Sequence, residues 1–386
     1  MHALTDTFTF QAPTSITFGV GSASRLGQIV ASLGRSPLVV TDPGVAAAGI
    51  LQKVLDSLAP AVASVETFSQ VEPNPSIETV DRAVAAYRRG RCDCLVACGG
   101  GSAMDVAKMA AVLVTHGGGV MDYEGMGKVP GPTVPVVCVP TTAGTGSEVT
   151  QFAVITDRAR PFKMTVGSPH LVPAAAVCDP SLTLSLPQAL TAATGMDALT
   201  HGIECYVNTA TNPLAKTLAL EAIRLVGRYL RTAYATGQHL EARYHMLLAS
   251  TMAAMAFTRT RLGNVHAMSH PLGARFDVPH GVANAVLLPY VMEWNLIAGM
   301  ETYPRIAEAL GEPTAGLPLR RAAEVAVQAV RRLAADVGIP ERLRDLGVTR
   351  DAIPALAEDA MKSGNVLVNP RLTRTEDMVH LFERAF

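Results

Sequence analysis

The chain has 386 residues, 49% of them apolar and 17% charged, and a formal net charge of −1 at pH 7. That length exceeds one compact core and fits two domains, while near-neutrality without a basic block argues against nucleic acid and anionic membrane as partners. No apolar run approaches the ~18 residues of a membrane helix, and residues 1–7 lack the basic and apolar regions of a signal peptide, so the expected location is the cytoplasm. Six cysteines stand at 92, 94, 98, 138, 178 and 205. Three of them fall in the strand-like Cys92-Asp-Cys-Leu-Val-Ala-Cys98, where small buried thiols are common, and all six are expected to be free in a reducing compartment.

Along the chain, residues 13–18 have strand composition and run into Gly19-Val-Gly21, where Ser24 replaces the third glycine of a dinucleotide fingerprint. A helix is expected at 22–33, then a strand at 37–42 ending in Asp42. An acid at a strand end in a nucleotide-binding fold can hydrogen-bond the ribose of NAD and repel the extra phosphate of NADP; it can equally cap the next turn. A helix at 45–58, a strand near 61–68 and the turn Glu72-Pro-Asn-Pro75 follow, then an amphipathic helix at 76–90 with Ile77, Val80, Val84 and Tyr87 at helical spacing. The strand 93–98 enters Gly99-Gly-Gly-Ser102 and a further helix. Three glycines between strand and helix let the backbone approach a diphosphate, and the helix N-terminus supplies N–H donors. The strand 134–139 leads into Pro140-Thr-Thr-Ala-Gly-Thr-Gly-Ser-Glu148, a run of short donors apt for phosphate, ribose or carboxamide, and 153–157 and 162–166 read as short strands. Alternating strands and helices predict a doubly wound, Rossmann-like α/β domain at 1–186.

From Pro187 strand signals vanish and helical periods dominate at 188–207, 212–235, 241–258, 319–337 and 351–362, predicting an all-α domain at 187–386. Four of the ten histidines, 201, 266, 270 and 280, lie in the two stretches 195–201 and 263–281. On a helix, Asp197 and His201 share a face at i, i+4 spacing. A second apolar segment would bring His266, and a loop after it His280, to the same point. One carboxylate and three imidazoles suit a divalent first-row metal without choosing between iron and zinc.

Together, Gly99-Gly-Gly-Ser-x-x-Asp105, Pro140-Thr-Thr-Ala-Gly-Thr145, Gly195-x-Asp-Ala-Leu-Thr-His201 and His266-x-x-x-His270-Pro-Leu-Gly…Pro-His280-Gly281 resemble the iron-containing (group III) alcohol dehydrogenase family over nearly the whole chain. The resemblance implies a Rossmann-like NAD domain and a helical metal-binding, catalytic domain with the active site in a cleft between them. Carried over residue by residue, it implies Asp197, His201, His266 and His280 as ligands of Fe(2+), or of zinc, nickel or manganese in its place. For NAD it implies Gly99, Gly100, Gly101 and Ser102 as the phosphate loop, Asp42 at the ribose, Thr141, Thr142 and Thr145 in the threonine loop and Lys163 beside the nicotinamide; Asn74 and Asp105 are counted with these contacts. Phe152 and Phe257 fall where family members line the substrate pocket, and Asn365 near its cofactor side. Two aromatics suggest a short primary alcohol or aldehyde. His270, one helical turn after His266, is assigned to the proton path and not to the metal. The expected assembly is a homodimer or higher homo-oligomer.

Other readings are a dehydroquinate synthase-type lyase or cyclase using NAD transiently, a maleylacetate-type reductase, and a non-catalytic metal scaffold. The first needs basic residues for a substrate phosphate, and the helical half offers no cluster of them. Glycerol dehydrogenase-like chains carry Lys where Ser102 stands here. The scaffold leaves the two glycine loops without a purpose.

Overall fold

A computed structural model describes residues 7–160 and 162–386. Residues 1–6, which carry most of the argument against a signal peptide, lie outside them. The chain forms two units, Ala12–Leu186 and Pro187–Phe386, and residues 7–11 belong with the second. The reason for that exchange is local: Gln11 accepts a hydrogen bond from Arg259 at 2.8 Å in the helical unit.

In the first unit, β1 (Ser15–Phe18), β2 (Pro37–Val40), β3 (Glu66–Phe68), β4 (Cys94–Gly99), β6 (Val136–Pro140) and β9 (Ala175–Cys178) form one sheet in the order β1-β9-β6-β4-β2-β3. Every pairing in it is parallel. Its four inner strands are buried on both faces, and successive residues go to opposite sides. Leu38, Val40, Leu95, Ala97, Val136 and Cys138 enter one core with α4 (Ile77–Arg89) and α5 (Gly101–His116). Val39, Val96, Cys98, Val137 and Val139 enter another with α1 (Leu26–Ala31) and α3 (Ile50–Leu58). This is the doubly wound sheet that the alternating pattern predicts. A small sheet of β5 (Gly125–Met126), β8 (Phe162–Gly167) and β7 (Phe152–Asp157) adjoins it, with β7 and β8 antiparallel.

Three details differ from expectation. The helix expected at 45–58 breaks into α2 (Pro43–Ala47) and α3, because Gly49 takes a left-handed φ of 74°. The strand expected at 61–68 contracts to β3. The fully buried β9 has no alternation by which it could be read. All six cysteines are free and buried.

The second unit contains α6 (Gln188–Val207), α7 (Pro213–Ala235), α8 (Leu240–Phe257), α9 (Asn264–Phe276), α10 (His280–Asn295), α11 (Tyr303–Ala309), α12 (Leu319–Asp336), α13 (Ile353–Met361) and α14 (Thr375–Ala385), and its described residues form no strand. Pro271 lies inside α9 and Pro289 inside α10. Gly281, the second residue of α10, lies against α6: a Cβ there would stand 2.3 Å from the Ala193 carbonyl oxygen. Backbone cannot yield as a side-chain tip can, so Gly281→Ala is expected to lower stability by about 1–3 kcal/mol, the usual range for overpacking, read as a reduced urea midpoint. Among the described residues no helix is long and apolar enough to cross a membrane.

Candidate metal centre and cofactor loops

The metal candidates meet inside the helical unit. Asp197 and His201 lie one turn apart on α6, His266 lies in the first turn of α9, and His280 opens α10. His280 was expected in a loop; it is instead the first helical residue after Pro279, which ends the linker between α9 and α10. The Nε2 atoms of His201, His266 and His280 are each 3.8 Å from the same Oδ1 of Asp197. Ligand atoms of Asp197, His201 and His266 all lie within 4.8 Å of one another. Bonds of about 2.0–2.2 Å to a tetrahedral ion place ligand atoms roughly 3.3–3.6 Å apart, so the three contacts to Asp197 Oδ1 need only a few tenths of an ångström of adjustment. Asp197, His201 and His266 are buried, while the His280 side chain remains 29% exposed and marks the more open side.

The donor chemistry also fits a cation. Burial, with His201 nearby, holds the His266 imidazole down at about 3, so the ring is neutral and keeps a lone pair. The Asn284 amide nitrogen lies 2.7 Å from Asp197 Oδ1, 3.0 Å from His266 Nε2 and 3.1 Å from His280 Nε2. The amide has two hydrogens for these three neighbours and can donate to two of them at once. His266 Nδ1 lies on the other side of the ring, 2.5 Å from Glu204 Oε2. Burial pushes the Glu204 carboxyl up to about 8, against the opposing effect of the Val265, Gly263 and His266 N–H groups.

Glu204 and Asn284 escape the sequence reading. Both were reachable by spacing: Glu204 is three residues after His201 on α6, and Asn284 is one turn after His280 on α10. Their polarity inside otherwise apolar helices is the signal.

The remaining candidates of this unit take these places. Phe257 packs its ring 4.5 Å from that of His201. The His270 ring is 6.5 Å from His266 and 5.7 Å from His280, adjacent to the centre. Asn365 accepts from the Leu262 N–H at 3.3 Å, supporting the loop before α9.

In the sheet unit the parallel register carries three loops to one edge. Asp42 follows β2, Gly99 to Ser102 follow β4, and Thr141 to Thr145 follow β6, three strands that are neighbours. Such loops at the carboxyl ends of parallel strands are where open α/β sheets bind ligands. They touch. A Cβ on Gly99 would stand 3.2 Å from Asp42 Oδ2, one on Gly100 3.3 Å from the Thr142 methyl, and one on Gly101 2.9 Å from that of Thr145. α5 begins at Gly101 with no side-chain cap, which leaves its first N–H groups to serve an anion. Asp42 Oδ1 accepts from the Val45 N–H at 2.9 Å, capping α2, while Oδ2 faces the glycine loop. Lys163 on β8 donates to Asn74 Oδ1 at 2.7 Å, and Asn74 holds a left-handed φ of 51°. Phe152 opens β7, half-buried, and its carbonyl accepts from Lys108 at 3.0 Å.

Asp105, expected to meet the cofactor, has both oxygens engaged within the unit, Oδ1 by the Ser147 hydroxyl at 2.9 Å and Oδ2 by the Val154 N–H at 3.0 Å. Burial pushes its carboxyl up to about 6, with the Lys108 ammonium opposing the rise. Lys108, itself lowered by burial, donates to Ser147 Oγ at 2.8 Å and the Thr150 carbonyl at 3.0 Å. These two side chains tie α5, and so the glycine loop, to the end of the threonine loop.

Known proteins agree with this geometry. The model for iron-containing alcohol dehydrogenase matches residues 13–180, and that for the C-terminal part of the Fe-containing alcohol dehydrogenase family matches 191–386. A 1,3-propanediol dehydrogenase of Citrobacter freundii is 44% identical over 382 residues, 98% of this chain and 99% of that one. An NAD-dependent methanol dehydrogenase of Bacillus methanolicus is 38% identical over 377 residues, covering 97% and 99%. A crystal structure of 1,3-propanediol oxidoreductase superposes with a TM-score of 0.96 at 44% identity, covering 99% of this chain and all of that one. With both halves matched by family models and full-length relatives at such identity, the chain belongs to the iron-containing alcohol dehydrogenase family.

Proposed function

We propose that this NAD-dependent alcohol dehydrogenase takes a short primary alcohol and its aldehyde, with Asp197, His201, His266 and His280 holding a divalent iron. The observation that carries the reading is the set of three imidazole nitrogens each 3.8 Å from one Asp197 oxygen. When bound, a divalent ion supplies Lewis acidity that favours the alkoxide form of an alcohol, from which hydride can pass to nicotinamide. Iron is the family's metal, and the donor set would also accept zinc. The chain's own residues do the rest. Phe257, its ring tilted against that of His201, presents an apolar wall that favours small alkyl groups. His270, next to His266 and His280, moves the proton between the alcohol oxygen and solvent. Gly99, Gly100, Gly101 and Ser102 receive the diphosphate at the α5 N-terminus, Thr141, Thr142 and Thr145 line it, and Lys163 with Asn74 serves the nicotinamide side. The names of the propanediol and methanol relatives both denote short primary alcohols, in keeping with a small chamber. A homo-oligomer in the cytoplasm completes the proposal, and six buried free thiols suit a reducing compartment.

The test is a panel of alcohols and aldehydes on iron- or zinc-loaded protein, followed by NADH absorbance. Net NADH formation with short primary alcohols is expected. Conversion of a phosphorylated carbohydrate without net NADH would instead support a lyase.

Cofactor choice gives a separate prediction. Asp42 Oδ2 lies against the glycine loop, where a 2′-phosphate would meet its charge. Asp42→Gly is expected to narrow the preference for NAD over NADP by about 1–3 kcal/mol, measured as the ratio of kcat/KM values. An unchanged ratio would reduce Asp42 to a cap on α2.

A further inference from the structure

We infer that Glu204 is the positioning residue that fixes the tautomer and ring orientation of His266, so that Nε2 and not Nδ1 meets the metal. The inference rests on the metal centre proposed above. Glu204 shares the α6 face of Asp197 and His201 but points past them to the start of α9. Oε2 is 2.5 Å from His266 Nδ1, and Oε1 accepts from the Val265 N–H at 2.7 Å. Glu204 therefore does two jobs at once. It caps the N-terminus of α9, whose own N-cap residue, Gly263, has no side chain to offer, and it grips the imidazole carried by that first turn.

A Cβ at 263 would stand 2.8 Å from Glu204 Oε1, so a larger residue there would push the carboxyl group off its present place. A cap alone needs no such arrangement, since Ser or Asp at position 263 would supply one locally. What a local cap cannot supply is an acceptor on Nδ1. With Nδ1 held 2.5 Å from Glu204 Oε2, Nε2 is the nitrogen turned toward Asp197, 3.8 Å from its Oδ1. Fixing a ligand histidine through its second nitrogen commonly changes metal affinity by ~10–100-fold.

Glu204→Gln tests this with little change of volume. If glutamine keeps its oxygen on the backbone N–H groups, its NH2 faces Nδ1 and drives the proton to Nε2, where it blocks coordination. Zinc affinity, measured by competition with a chromophoric chelator, is expected to fall ~10–100-fold, with the far-ultraviolet circular dichroism of the wild type retained. Wild-type zinc affinity in a folded Glu204→Gln protein would overturn the inference and leave Glu204 a helix cap. His201→Ala, assayed alongside, separates the two levels of argument. If His201→Ala loses zinc while Glu204→Gln does not, only the inference fails; if neither does, the centre itself is misplaced. Should Glu204→Gln fail to fold, nitrogen-15 histidine spectra of the zinc-loaded wild type decide the matter. A protonated Nδ1 and a coordinated Nε2 on His266 are expected, and coordination through Nδ1 overturns the inference.

Discussion

His266→Ala protein is expected to purify with little metal and to lose ~10³-fold or more in kcat/KM for alcohol oxidation. The estimate follows from removing a Lewis acid worth several kcal/mol of charge stabilisation, at 1.36 kcal/mol for each tenfold in rate. The same change strips Glu204 and Asn284 of an imidazole partner, so Glu204 keeps its backbone donors but loses its Nδ1 contact. His280→Ala should act in the same direction with a smaller loss of affinity, because His280 lies on the open side and water can reach its place. Metal analysis of the purified proteins by atomic emission, beside the kinetics, checks both. Undiminished metal in both variants would move the centre elsewhere.

The second large effect belongs to His270. The alanine variant is expected to bind metal and NAD as the wild type does, yet to turn over ~10²–10⁴-fold more slowly, the usual toll of losing a positioned proton carrier. The ring stands 5.7 Å from that of His280 and 6.5 Å from that of His266. It is thus close enough to serve the alcohol oxygen beside the ligands without completing their set, and a catalytic ion needs a position left for substrate. Steady-state kinetics over a range of pH, with metal analysis of the same samples, separates the roles. Loss of metal would make His270 a ligand or its support, and wild-type rates with an unshifted pH profile would make it a packing residue.

Most of the first half of the fold was legible because its longer strands and helices announce their period and many breaks carry a glycine or proline. β9 was not, being four buried apolar residues with nothing to alternate against. In the second half α6, α7, α8 and α12 have ordinary helical signals. α9 and α10 hide theirs behind Pro271 and Pro289, and α10 is apolar on nearly every side, so it has no stripe to detect. His280 was consequently read as a loop residue. The candidate ligand types were visible from Asp197 and His201 at helical spacing, whereas the packing of α9 and α10 against α6 brings in partners no spacing rule names. Asp105 shows the converse: a residue within a recognisable motif whose oxygens are spent on Ser147 and Val154, inside the unit that displays the motif.

The buried cysteines have a bearing on how such an enzyme ages. Burial pushes the thiols of Cys94, Cys98 and Cys138 up to about 12 and those of Cys92 and Cys205 to about 11. Peroxide and alkylating reagents attack thiolates, and at neutral pH these side chains offer almost none. Oxidation in air is therefore expected to spare these five thiols and to fall first on the divalent iron and on exposed methionines such as Met121 and Met126. Activity lost through the iron is expected to return with a fresh divalent ion, whereas a thiol reductant finds no oxidised form of these five cysteines to repair.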